Sequence, residues 1–595
     1  MSGPSRACAR LAVVLCALGL AAGALSCRPR VKPPEAKPRY ETLPAKQVPG
    51  FMKDTIFERT DLWNTEPQIV TGYGLVVNLA GTGAGPYPTL VREYMLREMS
   101  KRGFGSKLMP GFEKLTPSQV LNDPRVAIVQ VTGYMPPGAR ESQRFDVRVS
   151  ALPLSQTSSL HRGDLYRTDL VLPGANPGVN VQARCEGPIF VNPALAMESL
   201  SGSVSGGATA RASLRSGWVM DGGVVVNERP IVLRLLTPSR AVARLIESRV
   251  DEHFQDTSVA AAQDEGLVLL YVPHKFRGDW QHFVGIVTHL YLNNSPAIIA
   301  RKARELAEEA VKPDAPLMDI SYCWEGLGAA ALPTILPLMA HEDPAVQYAS
   351  ARVAAFLGDT SAQSALLKIA STSGHEFQIN AVQTLGALPA SPAVNHMLRR
   401  LLDSDQTLVR VEAYKVLARN RDPIVFTKVV NERFVLDLVP TDGPPFVYAS
   451  RRGMPRIAVF GRGVSIETPI VWTAMNERMM ISSQKDGPNI TLFYRDDRGR
   501  TTSMLSRPDL AEVIARLGGE GPKFEKKFDF TYADVVGIMQ LLSEQKRLTA
   551  RGEAPTEVSF MLEDLPAGEM DVLDAVPLPE PTRPQTDAEK VGAAQ

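Results

Sequence analysis

The feature that most constrains this chain is a change of hydrophobic periodicity at Asn293. From Asn293 to Asp422 the apolar residues recur as short amphipathic helices in an approximate repeat. Gln347, Gln378 and Arg410 hold corresponding places in VQYASARVAAFL, FQINAVQTLGAL and VRVEAYKVLARN, 31 and then 32 residues apart. Ala362–Ala370 and Ala393–Leu402 read as the second helix of each pair, and Leu332–Met339 as a less regular copy interrupted by Pro333 and Pro337. A helix pair cannot hide its own apolar stripe, so such units must stack on neighbours.

The repeat resembles a HEAT-type α-solenoid of three to four units, with a period shorter than the ~40 to 47 residues usual for that class. A solenoid encloses no catalytic pocket but offers a curved face, whose default occupant is another protein; an architectural spacer is the plainer alternative.

Around this module the chain is too long for one core: 595 residues suggest two to four domains. The 65 Lys and Arg against 64 Asp and Glu leave a formal charge of +1, which provides no basic footprint for a nucleic-acid backbone. With 44% apolar residues, there is ample material for packed cores.

From Phe51 to Leu292, strand-like runs alternate with glycine and proline turns: Gln68–Leu79, Val126–Val131, Arg144–Ala151, Val179–Arg184, Val224–Val226, Ile231–Leu236 and Gly266–Val272. Helical periodicity over Thr89–Arg102 and Ser239–Phe254 interrupts them. Without regular βαβ alternation the expected fold is an α+β body. Within it, Gly72-Tyr-Gly-Leu-Val-Val-Asn-Leu-Ala-Gly81-Thr-Gly83 lacks the Lys-Ser/Thr of a phosphate loop and the spacing of a dinucleotide fingerprint, so its glycines are read as turn formers. The small, glycine-rich stretch Ser199–Gly217 reads as a surface loop.

Several ordered blocks in this body resemble the flagellar P-ring proteins. They are Gly72-Tyr73-Gly74 with Gly81-Thr82-Gly83; Pro136-Pro137-x-Ala139-Arg140 with Phe145-Asp146-Val147-x-Val149-Ser150; Ser159-Leu160-x-x-Gly163-x-Leu165; then Gly187-Pro188, Gly222-Gly223-x-Val225 and the strand ending at Val272-Pro273. The resemblance implies a secreted structural subunit that assembles a ring around the flagellar rod in the periplasm, in contact with itself, the rod, neighbouring ring proteins and peptidoglycan. The family pattern has no helical repeat, so the module at 293–422 reads as an insertion. Ala533-Asp-Val-Val-Gly-Ile-Met-Gln-Leu-Leu resembles a helix near the end of P-ring proteins.

From Pro423 to Leu562 a second α+β domain is expected, with strands at Phe434–Val439, Ile457–Phe460, Met479–Ser483, Ile490–Tyr494 and Glu557–Leu562, and helices at Leu510–Leu517 and Tyr532–Glu544. Residues 563–595 carry eight acidic and two basic residues with a proline run, the composition of a disordered tail.

Arg6 and Arg10 followed by the apolar run Leu11–Leu25 read as an export signal over residues 1–26. Ala24 and Ser26 precede Cys27, so a signal-peptidase cut and a lipoprotein cut fall at the same bond. The expected outcome is lipidation of Cys27, although Ala24 stands where a lipobox prefers leucine; simple secretion is the alternative. Residues 27–50 form a basic, proline-rich spacer, so membrane contact is expected through the lipid anchor alone. Cys8 and Cys16 leave with the signal; Cys185 and Cys323 either pair or remain buried thiols.

A search for chemistry finds no catalytic constellation. His253, His274, His282 and His289 lack metal-ligand spacing, and no C-x-x-C is present. Asp496-Asp497-Arg498-Gly499 is a hairpin turn and does not make a metal cluster with Asp437 and Asp442. Gly202–Gly206 has Val204 where a nucleophile elbow needs serine, and Arg162-Gly-Asp164 and Arg277-Gly-Asp279 are short enough to arise by chance. No cofactor, metal site or enzyme activity is expected. The expected function is a structural component of the flagellar basal body, in the periplasm or cell envelope, with a solenoid for protein binding. The competing readings are an envelope lipoprotein adaptor with no flagellar role and, last, a cell-wall enzyme.

Overall fold

The computed structural model describes residues 40–104, 114–175, 180–200, 212–483, 487–496, 499–521, 526–550 and 556–563. The export signal, Cys27, most of the spacer, Gly202–Gly206, Asp497 and the acidic tail from residue 564 lie outside the described residues.

In the front body β1 (Thr60–Trp63) precedes β2 (Gln68–Val77), β3 (Ala127–Met135), β4 (Arg144–Ala151), β5 (Asp164–Leu170), β6 (Ala183–Pro188) and β7 (Ser216–Val225). The last six close into an antiparallel barrel in the order β2-β3-β4-β7-β6-β5. Alternation along each strand turns Val129, Val131, Val147, Val149 and Leu165 into the core, as the period of two in Phe145–Val149 requires. Closure is made where Val76 lies opposite Leu165 and Val77 opposite Asp164. Outside the barrel, the helix Thr89–Lys101 lays Met95 and Met99 over Leu75 and Ile128.

The glycines of the opening block do two different jobs, and the turn reading holds for Gly81 alone among Gly72, Gly74, Gly81 and Gly83. Gly81 has a left-handed φ of +84°. Gly72 and Gly74 lie inside β2, where an added Cβ would come 2.5 Å from the Asp169 carbonyl oxygen and 2.6 Å from Thr168 Oγ1. They allow β2 to approach β5 where the barrel shuts. Close approach also explains a misread strand. The sequence reads as a loop over Ser199–Gly217 and a short strand at Val224–Val226, yet β7 begins at Ser216. A Cβ at Gly217 would meet Ile189 at 2.6 Å, and one at Gly223 would meet Phe145 at 2.8 Å. The strand expected at Val179–Arg184 is displaced to Ala183–Pro188.

β8 (Ile231–Leu235), β9 (Ala260–Ala262) and β10 (Leu267–Leu270) form a second sheet with β1, in the order β1-β8-β10-β9. The helices Arg240–Phe254 and Trp280–His289 cover it through Ile246, Val250, Phe283 and Val287. Ser239 caps the first helix, and Asp279, the end of the second Arg-Gly-Asp, caps the other by accepting from the His282 N–H.

The helical region begins with Pro296–Ala310 and Leu317–Leu327. A broken stretch at residues 328–340 follows, where Pro333 and Pro337 divide the chain into single turns. Regular helices resume at Pro344–Phe356, Thr360–Ser371, Gln378–Ala387, Pro392–Leu401 and Thr407–Arg419. The repeat residues reveal their purpose here. Gln378 Nε2 donates to the Ala370 carbonyl at 3.0 Å and Arg410 Nε to the Leu402 carbonyl at 2.7 Å, each satisfying the end of the preceding helix. One apolar core runs from Phe51 and Met52 through Trp324, Leu366 and Leu398 to Tyr414, Tyr448 and Phe460, so both ends of the stack are covered.

The C-terminal body contains β11 (Phe426–Val430), β12 (Phe434–Val439), β13 (Phe446–Ala449), β14 (Arg456–Phe460), β15 (Ser465–Ile466), β16 (Val471–Ala474), β17 (Met479–Ser483), β18 (Ile490–Arg495), β19 (Thr501–Ser506), β20 (Leu548–Ala550), β21 (Thr556–Glu557) and β22 (Ser559–Leu562). They form a mixed sheet β11-β12-β14-β13-β22, a meander β16-β17-β18-β19 and a small sheet β15-β20-β21. Helices Leu510–Leu517 and Tyr532–Glu544 pack between them, and their core takes in Phe190, Met197 and Met220 from the front body.

Gly83 and Gly81 provide a paired test of the barrel geometry. At Gly83 a Cβ would sit 2.3 Å from the Val126 carbonyl oxygen, whereas at Gly81 nothing lies within 4 Å. Gly83→Ala should cost about 3 kcal/mol through forced backbone displacement. Gly81→Ala should cost about 1–2 kcal/mol through its positive φ alone. Thermal or urea unfolding of the two variants should preserve that order.

Candidate functional site

The side chains with the strongest physical constraints gather where the C-terminal body meets the barrel. Thr531 and Asp534 form a capping box at the start of the helix Tyr532–Glu544. The helix packs on Pro193–Leu200, with Gly537 so close to Met197 that a Cβ would lie 2.8 Å from its Cγ. This packing carries Asp534 into full burial against two consecutive residues of the loop before β5. Arg162 Nε lies 3.1 Å from Asp534 Oδ2, and His161 Nε2 lies 2.9 Å from Oδ1, off the angle of a hydrogen bond. Burial alone would push this carboxyl up. The charges of Arg162 and His161, with the hydrogen bond from the Thr531 N–H, outweigh burial and hold it far below the usual carboxylate range.

Arg162 reaches further across the junction, donating to Tyr494 Oη at 2.8 Å and to the Asp529 carbonyl at 3.1 Å, from a backbone with φ +63°. A second tie is made by Asp146, which accepts from the Asp221 N–H at 2.6 Å within the barrel and from the Gly453 N–H at 3.2 Å in the C-terminal body. Burial raises the Asp146 carboxyl against the lowering pull of those two N–H groups. Beside these ties lies an open cleft of about 1070 Å³, lined by Gly81, Arg144, Arg433, Tyr494 and Asp529 among others.

The solenoid is fastened at both ends by similar means. At its first helices, His282 Nε2 lies 2.6 Å from Glu325 Oε2, and Arg352 donates to Glu325 Oε1 at 2.9 Å, all three side chains being buried. Burial works against the His282 imidazolium, but Asp279 and Glu325 outweigh it and the pKa is raised. At its last helix, Tyr414 donates to Asp437 Oδ2 at 2.5 Å, Thr427 donates to Oδ1 at 2.6 Å, and Arg456 pairs with the same carboxylate. Arg410 reaches Thr441 at 3.1 Å. The front body, the helical region and the C-terminal body therefore each touch the other two.

The structure does not bring the signature residues to one point. Gly72, Tyr73 and Gly74 form barrel wall, with Tyr73 edge-on to Tyr94. Thr82 donates to the Ser159 carbonyl at 2.7 Å and Gly83 to the Pro124 carbonyl at 2.9 Å, closing one rim. Pro136 and Pro137 lead into a turn at Gly138, φ +65°, and Arg140 beyond it lies 3.5 Å from Glu228 and over the Tyr271 ring. Gly163 packs against Val76 beside Arg162, where a Cβ would come within 2.5 Å of a valine methyl.

His253 lies edge-on to Phe254 and is lowered to about 4 by burial and by Arg249 and Lys275, while His274 sits in a separate single turn. His282 and His289 share one helix, but among the described residues no group of three His, Cys, Asp or Glu side chains can hold a metal. Asp437 is the buried acceptor of Tyr414, Asp442 pairs with Arg462, and Asp496 forms its own turn with Arg500, so these carboxylates do not converge. Cys185 and Cys323 are separate buried thiols, which settles the alternative left open by the sequence. Burial raises both, Cys323 to about 12. His161 and Arg162 were unassigned positions inside a signature block. The Thr531-x-x-Asp534 spacing is a capping-box signal that went unread in the sequence, and the partners of Asp534 lie too far away in the chain to be read.

Residues 59–301 match the flagellar P-ring protein family, and residues 332–418 match HEAT repeats. The flagellar P-ring protein of Rhodospirillum rubrum is 30% identical over 228 residues, covering 38% of this chain and 55% of the relative. That of Nitrobacter hamburgensis is 30% identical over 239 residues, covering 39% and 58%. That of Nitrobacter winogradskyi is 29% identical over 262 residues, covering 43% and 64%. The chain thus spans little more than half the length of the first two relatives. The front body is similar to a family of structural proteins, not of enzymes.

Two pH and mutation tests follow from these joints. Asp534→Asn leaves Arg162 and His161 facing a neutral group and should cost about 3–5 kcal/mol. Because the folded carboxyl is depressed, its contribution is complete above the ordinary Asp range near pH ~4 and is lost as pH falls toward the folded value. Urea midpoints of the wild type and the variant should therefore converge in acid. His282 has the opposite sign. Its raised pKa contributes stability below the unfolded value of about 6.5, lost as pH rises through the folded one. His282→Gln should therefore narrow its deficit above neutrality, measured by thermal melts across pH 5 to 9.

Proposed function

We propose that this protein is a structural subunit of an envelope ring of the flagellar P-ring type, into which a HEAT-like module has been inserted to hold a further protein. The observation that carries this reading is the return of the chain. The match to P-ring proteins ends at residue 301, yet the helix Tyr532–Glu544 comes back to the barrel and buries Asp534 against His161 and Arg162. An insertion behaves in this way: the helical region leaves the front body, and the C-terminal body completes that same body. The division at residues 51–292, 293–422 and 423–562 then describes one ring-forming unit in two pieces with a solenoid between them.

On this reading the signature residues Gly72, Tyr73, Gly74, Gly81, Thr82, Gly83, Pro136, Pro137, Arg140, Asp146 and Gly163 are structural, shaping the barrel and its seams. Export over residues 1–26 and lipidation at Cys27 would place the subunit in the periplasm on a short spacer. Copies of itself, the rod, neighbouring ring proteins and peptidoglycan are its proposed contacts. Repeated subunit interfaces supply the binding energy, and no chemical step is required.

The test is imaging of flagellar basal bodies from cells with and without the gene, together with a swimming assay. Loss of a ring of density and at least a tenfold fall in swimming cells is expected. Unchanged basal bodies and motility would overturn the reading.

A further inference from the structure

The mixed sheet of the C-terminal body ends in two strands that pair on one side only. β11 pairs with β12, β22 pairs with β13, and no other described strand meets either. Natural sheets guard such edges with bulges, prolines or outward charges. β11 has no bulge and no proline, and a single charge. Its register with β12 is unbroken from Phe426 to Val430, and its one charge, Lys428, is drawn to Glu520 beside the helix Leu510–Leu517. Phe426 and Val429, on opposite faces of the strand, are 61% and 60% exposed.

The surroundings of β11 are electrically quiet. A groove of about 620 Å³ runs between the strand and the helix Leu510–Leu517, and its charges are matched as Lys428 with Glu520 and Arg507 and Arg516 with Glu512. β22 is the complementary element: Ser-Phe-Met-Leu, uncharged, with its outer edge open in the same sheet. Edge pairing of this kind takes its affinity from backbone hydrogen bonds and its register from apolar side chains.

We infer that β11 of one copy pairs with β22 of the next copy, so that the mixed sheet continues across the subunit boundary. This rests on the ring reading above and gives it a contact surface outside residues 59–301. The two halves lie at opposite edges of one sheet, so the contact is head-to-tail and every copy uses both edges, as a closing ring requires. Pairing of β11 with β11 would be isologous and would stop at a dimer. A five-residue strand falls well short of the ~1,000 Å² that a stand-alone interface needs. It therefore suits a repeat in which each subunit is held on two sides.

The experiment uses full-length protein carrying Val429→Cys and Ser559→Cys, treated with a short bis-maleimide and run on a denaturing gel, with negative-stain imaging in parallel. Cys185 and Cys323 are buried, and the parent chain sets the background. The double variant should give a ladder of dimers, trimers and higher species at least fivefold above the parent, and neither single variant should do so. Val429→Cys alone giving dimers would overturn the head-to-tail assignment in favour of self-pairing. No ladder from a double variant that still forms closed rings would overturn the edge contact and leave the ring reading standing. If the unmodified protein forms no large oligomer, both fail. Val429→Lys, at an exposed position, should keep the parent's melting temperature within a few degrees and reduce ring particles at least tenfold; undiminished rings would overturn the contact.

Discussion

The arrangement of this molecule depends on one buried carboxylate. Asp534 is fully enclosed, and an ion in that position is stable only if its partners are buried with it. The helix start supplies one set, the Thr531 N–H and hydroxyl, each 2.9 Å from Oδ2. The barrel supplies the other, through Arg162 and His161. Moving the two bodies apart would break the second set while leaving the first in place, exposing a half-satisfied charge. The carboxylate therefore sets the relative position of elements separated by hundreds of residues. The apolar contacts of Phe190, Met197 and Met220 with Tyr532 and Ala533 supply the cohesion.

The same division of labour recurs where the solenoid meets its neighbours. His282, Glu325 and Arg352 at one end, and Tyr414, Asp437 and Arg456 at the other, are charge groups set into a continuous apolar core. Buried ion pairs contribute little net stability compared with apolar residues of equal volume, because desolvation offsets most of their attraction. Their directional demands do discriminate between one docking geometry and its neighbours. With both ends held this way, the helical repeats bridge the two bodies. Arg410 serves both functions at once: it closes the end of the preceding helix and reaches Thr441 in the next body.

Elements governed by local periodicity were legible in the sequence. The helices Arg240–Phe254, Leu510–Leu517 and Tyr532–Glu544 lie where the 3.6-residue pattern places them, and β4 where the alternation does. The repeat spacing located the helix pairs, and the two prolines marked where the first pair breaks. Closure of the barrel was not legible, because it depends on Val76 meeting Leu165 across a separation that no local pattern encodes. Glycine was the systematic source of error. It permits both a turn and a close strand approach, and Gly72, Gly74, Gly217 and Gly223 serve the second role. The joint itself was hidden for a related reason: His161 and Arg162 are an ordinary dipeptide until Asp534 arrives from the far end of the chain.

The near-neutral charge of the chain takes on a different meaning in this light. Many of its ions are consumed internally, in the three joints, at helix caps and in pairs such as Arg399 with Asp422 and Arg102 with Asp169. At the β11 rim of the mixed sheet Phe426 and Val429 stand exposed, and the one charge there, Lys428, pairs with Glu520. Contacts made there draw on hydrogen bonds and apolar burial, which salt screens only weakly, whereas contacts between opposed charged faces fade beyond a Debye length of ~8 Å at physiological ionic strength. On the proposed ring reading, a chain built in this way uses charge for its internal geometry and leaves association to shape. A repeating assembly benefits from that allocation, since small angular errors within each subunit would accumulate around a ring until it failed to close.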